Sequence, residues 1–155
     1  MDKNVTLDVL DEAGGREPWD FRCTQSEDRF YVTACGPAGV ERQGAGDDWF
    51  DALRELRLVL EGDGLRPLCV GAMVNAHQSG MLAGSSEGSV AYLLRRRHPP
   101  KEVARIFDRA SAEDTGTVAE QEAFFEAWAT ERRRYRLVGA ATGLFREYWH
   151  RLRYR

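Results

Sequence analysis

Two sets of residues in this chain have side-chain chemistry and spacing that invite a functional reading. The first is Cys69 with Asn75, His77 and Ser79. An imidazole beside a thiol can hold it as the reactive thiolate. In that arrangement His77 is the base, Asn75 orients it, and Ser79 is an alternative nucleophile. These spacings match no diagnostic nucleophile–base motif, and the plainer reading is a core cysteine next to a polar loop. The second set is a run of arginines, Arg132, Arg133, Arg134 and Arg136, continued by Arg146, Arg151, Arg153 and Arg155 and interleaved with Tyr148, Trp149 and Tyr154. Guanidinium groups grip carboxylate or phosphate bidentately, and Trp, Tyr and Arg are the usual anchors of protein interfaces. Arg146, Tyr148, Trp149, Arg151 and Arg153 are therefore the candidate partner contacts, with another protein's acidic surface as the expected partner. A nucleic acid or an anionic membrane surface would also suit such a tail. The plainer reading is a helix that packs its apolar face on the body and leaves its arginines in water.

Other chemistries find less support. Gly80, Gly84 and Gly88 lie in one polar stretch, but no Gly-Lys-Ser/Thr follows them to form a phosphate loop, so a surface loop is expected. His77, His98 and His150 sit on three separate segments without a ligand spacing, and no metal or other cofactor is expected. Asp47, Asp48 and Asp51 cluster where a helix begins, which is what helix capping asks for. Cys23, Cys35 and Cys69 are odd in number and widely spaced, so they read as small buried hydrophobes in a reducing, cytoplasmic compartment. The start of the chain reads as a strand and not as a signal peptide, and no run is long and apolar enough to span a membrane.

The elements that must position these residues follow from periodicity. Val5, Leu7 and Val9 alternate with polar neighbours, as do Trp19, Phe21 and Cys23, and Phe30 to Cys35 is β-branched and aromatic. Turn-forming residues separate these runs, so an antiparallel meander is expected. After Asp47 or Asp48 the period changes: Trp49, Leu53, Leu56 and Leu60 mark one face of a helix, with Arg54, Glu55, Arg57 and Glu61 off that stripe. Arg66 to Met73 reads as a buried strand, residues 75–88 as a loop, Val90 to Leu94 as a strand, and Val103 to Asp108 as a strand in preference to a short helix. Thr117 to Glu120 forms a capping box ahead of Phe124, Phe125 and Trp128, and a second amphipathic helix is expected after Gly139 and Gly143.

This order predicts an α+β fold, a mostly antiparallel sheet with helices packed on one face. Residues 1–138 are expected to form the α+β domain and residues 139–155 a C-terminal basic amphipathic helix, either part of the same single domain or an appendage to it. The chain of 155 residues carries a net charge of −3, which conceals a polarity. Residues 131–155 hold 8 arginines against 2 glutamates, while residues 1–130 hold 14 basic against 23 acidic side chains. An acidic body with a basic tail suits two different kinds of contact.

The middle of the chain carries Leu68-Cys69-x-Gly71-Ala72, Ser79-Gly80-Met81, Ala91-Tyr92-x-Leu94, Ile106-Phe107-Asp108 and Gly116-Thr117-Val118-Ala119-Glu120-Gln121, ending near Phe125 and Trp128. In these motifs it resembles a family of small uncharacterised bacterial proteins from high-GC organisms. The resemblance spans about residues 50–130. The chain departs from that pattern at Val70, where the family has asparagine, and in its arginine-rich tail. The resemblance implies a shared domain and carries no activity and no catalytic residue. The expected function is that of a non-enzymatic interaction factor, immunity-like or accessory, with a small-molecule enzyme or binding protein using the 75–88 loop as the alternative.

Overall fold

A computed structural model describes the backbone of residues 3–152 and the side chains of residues 3–136. The three strands of the expected meander are present as β1 (Lys3–Asp11), β2 (Arg16–Ser26) and β3 (Arg29–Cys35), and a fourth that was not expected, β4 (Glu41–Gly46), extends it. With β5 (Leu65–Pro67) they make a five-stranded antiparallel sheet in the order β4-β3-β2-β1-β5. Alternation puts Leu7, Val9, Trp19, Phe21, Cys23, Phe30, Val32 and Ala34 on one buried face. Helix α1 (Trp49–Gly62) lies on that face and buries Trp49, Leu53, Leu56 and Leu60, the expected stripe. The Asp48 carboxylate caps α1 by accepting from Asp51 N–H at 2.8 Å.

Strand β4 has no apolar alternation because its inward positions are glycines. A Cβ at Gly44 would lie 2.1 Å from the backbone nitrogen of Leu56, so only glycine lets the helix backbone come this close to the sheet. The missing side chains are what remove the strand signal.

A second antiparallel sheet has the order β6-β7-β8: β6 (Ala76–His77), β7 (Val90–Leu93) and β8 (Glu102–Arg105). The expected strand at Val103 is therefore present, and Ile106 and Phe107 turn into the core beyond it. The segment expected to be one strand from Arg66 to Met73 is instead β5 followed by a single 3-10 turn at Val70–Ala72, with Cys69 bridged to Arg109. The stretch expected to be a loop contains β6 and helix α2 (Gly80–Ser86). No residue of α2 is buried, so it has no apolar stripe to betray it. Its Ser79 cap and the hydroxyls of Ser85 and Ser86, which donate to Leu82 C=O, help hold it together.

Helix α3 (Val118–Leu152) runs through Gly139 and Gly143 without a break, where two helices were expected. An interior glycine costs about 1 kcal/mol relative to alanine but does not by itself end a helix. The expected boundary at residue 139 thus falls inside one element. The capping box at its start is formed: Glu120 N–H donates to Thr117 Oγ1 at 3.1 Å, and Thr117 N–H donates to Glu120 Oε2 at 2.7 Å. No described helix is long and apolar enough to cross a membrane.

Candidate functional site

Of the four residues proposed for nucleophilic chemistry, only His77 lines a cleft. That cleft, of about 600 Å³, lies between the start of α1, strand β6 and the first turns of α3. The His77 ring stacks on Phe125, centroids 3.7 Å apart and planes 7° from parallel. Burial pushes its imidazole below the ordinary histidine value, so the ring is mostly neutral at pH 7. The lining also carries acids, Asp47, Asp48 and Asp51 from α1 and its approach and Glu122 and Glu126 from α3. Arg54 is the one cation in the lining and bridges two carboxylates, donating to Glu122 at 2.6 Å and Glu55 at 2.7 Å.

Each of the other three spends its polar atoms on the fold. Cys69 has no exposed surface, and burial pushes its thiol up to about 11, against the opposing pull of the neighbouring Arg57 guanidinium. Asn75 Nδ2 donates to Leu94 C=O at 3.1 Å and ties β6 to the end of β7. Ser79 Oγ accepts from Leu82 N–H as the cap of α2. The cysteines expected to be uniformly buried also divide: Cys23 is buried like Cys69, whereas Cys35 is half-buried and donates its thiol hydrogen to Glu41 Oε1 at 3.3 Å. Of the acids expected to cap α1, Asp48 does so, while Asp47 pairs with Arg29 at 2.6 Å. Among the described residues, no three His, Cys, Asp or Glu side chains are placed to hold a metal ion.

One polar site lies behind the cleft wall and left no sequence signal. Arg57, read as lying off the apolar stripe, is 1% exposed. Its guanidinium donates to Gly71 C=O at 3.0 Å, Gln121 Oε1 at 2.8 Å and Gly116 C=O at 3.1 Å. Gln121 Nε2 in turn donates to Gly71 C=O at 3.0 Å and Met73 C=O at 2.7 Å. A buried cation meeting only neutral acceptors is costly, and burial pulls its pKa below the usual arginine value. What it gains is position: α1, the 3-10 turn and the start of α3 are locked together at one point.

The arginine series begins where α3 leaves the body. Trp128 Nε1 donates to both Arg95 C=O at 3.1 Å and His98 C=O at 3.2 Å, Glu131 pairs with Arg96, and the Arg132 guanidinium lies over the Trp128 ring, 5.2 Å from its centroid. Beyond these contacts Arg133, Arg134 and Arg136 are exposed and enter no ion pair among the described residues. Tyr135 between them is 63% exposed. Of the candidate partner contacts, the side chains of Arg146, Tyr148, Trp149 and Arg151, and Arg153 altogether, lie outside the described residues. No protein-family model matches the chain, and no curated protein matches it.

Proposed function

We propose that this chain is a non-enzymatic interaction protein, immunity-like or accessory, that presents the arginine-bearing part of α3 to an acidic surface on another protein in the cytoplasm. One observation carries the reading. After Arg132, α3 continues as helix to Leu152, and its next four residues put three arginines and a tyrosine into solvent. Residues 133–152 amount to about 30 Å of helix at 1.5 Å per residue, enough to cross a partner's surface. The polarity of the chain adds to this, since a basic tail is drawn to carboxylate-rich surfaces and repelled by basic ones. The test is capture of partners from the native host with the intact chain and with Arg146, Tyr148, Trp149, Arg151 and Arg153 changed to alanine. The reading expects loss of a specific protein partner from the substituted chain, and equal recovery from both chains sinks it. A retarded DNA or RNA band at low salt that vanishes steeply as salt rises would instead assign the tail to nucleic acid.

A second reading is supported by the cleft at His77, whose volume and aromatic stack suit a small molecule better than the Cys69–His77 pair suits catalysis. Selective labelling of Cys69 by a thiol probe near neutral pH, abolished by His77→Ala, would restore the catalytic version; an unreactive Cys69 leaves the cleft as a binding site alone.

A further inference from the structure

We infer that the chain has a binding pocket for a small amphipathic carboxylate at the junction of its two sheets, separate from both α3 and the cleft at His77. The reasoning starts with strand register. Lys3 lies opposite Cys23 in the β1–β2 pair, and directly opposed residues on neighbouring strands put their side chains on the same face. Lys3 therefore falls on the side of β1 that carries Leu7 and Val9, the apolar face. In the other sheet Arg105 lies opposite Val90, so a second cation shares a face with an apolar residue.

These two cross-strand pairs line one pocket of about 310 Å³. Its apolar floor is made by Trp49, Phe107 and Cys23, which are 5%, 7% and 2% exposed. Lys3 Nζ sits 6.0 Å from the centroid of the Phe107 ring, a distance at which the ring face attracts a cation. Ser89 completes the rim, held in place because its carbonyl accepts from Ile106 N–H at 3.1 Å. Among the described residues no carboxylate lines the pocket, and neither Lys3 nor Arg105 enters an ion pair.

Two cations lining a pocket whose floor is aromatic define the ligand by its chemistry. It needs a carboxylate to meet Lys3 and Arg105, with the hydroxyl of Ser89 as a further donor, and a short apolar body to cover Trp49 and Phe107. The volume limits that body to a medium-chain or single-ring group. The acidic cleft at His77 would repel the same molecule, which keeps the two sites chemically distinct.

The test uses the full chain, isotopically labelled, titrated with octanoate and separately with octanamide, its uncharged counterpart. Backbone amide shifts of Ser89, Val90 and Phe107 report the site. Octanoate is expected to produce saturable shifts at these amides, and octanamide at the same concentrations to produce none. Lys3→Gln with Arg105→Gln should weaken octanoate by about tenfold or more, the scale of a lost charge-assisted hydrogen bond. Arg105 is exposed, so the spectrum of the variant should otherwise match the parent. The inference is overturned if octanoate shifts nothing at these amides up to millimolar concentration, if octanamide binds equally well, or if the double variant binds with the parent's affinity.

Discussion

The first four turns of α3 and the arginine-bearing stretch that follows use similar residues to opposite ends. In the first, four polar side chains have been given a partner by another element. Gln121 takes the buried Arg57, Glu122 takes Arg54, Trp128 donates to the 95–98 turn, and Glu131 takes Arg96. In the second, Arg133, Arg134 and Arg136 stand in solvent. The difference teaches that an arginine's role is set by whether the fold brings it an acceptor. Arg57, in the middle of α1, is therefore expected to matter more for stability than the conspicuous arginine run.

That contrast is sharpest at Arg57. Changing it to alanine strands the carbonyl of Gly116 and the side-chain oxygen of Gln121, both turned toward a buried guanidinium, and leaves Gly71 C=O with Gln121 Nε2 alone. The expected loss is about 3 kcal/mol or more of unfolding free energy, read from urea titrations. Arg57→Lys should recover little, because an ammonium cannot reproduce the planar fork that reaches three acceptors. A loss under about 1 kcal/mol for Arg57→Ala would erase the distinction between the two stretches.

The next effect down is at the N-terminus of α3. Thr117→Ala removes the side-chain acceptor for Glu120 N–H and should cost about 1 kcal/mol. The reciprocal bond from Thr117 N–H holds the Glu120 carboxyl below its usual range. The unfolded chain therefore takes up that proton first, so this part of the stability is present above the ordinary glutamate value and is lost as pH falls through the folded one. Parent and Glu120→Gln melting temperatures should converge as the pH is lowered.

His77 against Phe125 is a smaller, pH-dependent version of the same fixing. Because burial lowers its pKa, the neutral ring is favoured in the folded state. Its contribution is intact above about pH 6.5, the ordinary histidine value, and declines as pH drops from there toward the folded value. His77→Phe keeps a flat ring on Phe125 and should flatten the melting-temperature profile between neutral and mildly acidic pH. An unchanged profile would mean that His77 is not what couples the cleft to pH.

What the sequence displays and what it hides divide along the same physical line. A segment is legible when it buries a regular apolar face. Trp49, Leu53, Leu56 and Leu60 announce α1, and the alternation through Trp19, Phe21 and Cys23 announces β2. The capping box at Thr117 is local chemistry and needs no tertiary knowledge. Strand β4 is hidden because Gly44 and Gly46 replace the side chains that would mark it, and α2 because it buries nothing. The candidate sites are less legible still. His77 was visible as a titratable group in a polar stretch, but its partner Phe125 is supplied by α3, and the acids lining its cleft come from two helices. The pairing of Lys3 with Cys23 follows only from register, and its meeting with Arg105 only from the packing of two sheets.

The smallest expected effect on stability is also the one that bears most on function. Replacing Arg133, Arg134 and Arg136 together by alanine removes three exposed cations from a helix interior and adds three residues of high helix propensity. Nothing described is left unpaired, so each change should shift unfolding free energy by no more than about 0.5 kcal/mol. If the stretch exists to meet an acidic partner, the same variant should lose that partner while its urea midpoint stays in place, and raising salt should reproduce the loss in the parent chain. A large fall in stability would mean instead that these guanidinium groups are bound within the molecule, and the two parts of α3 would then be doing the same job.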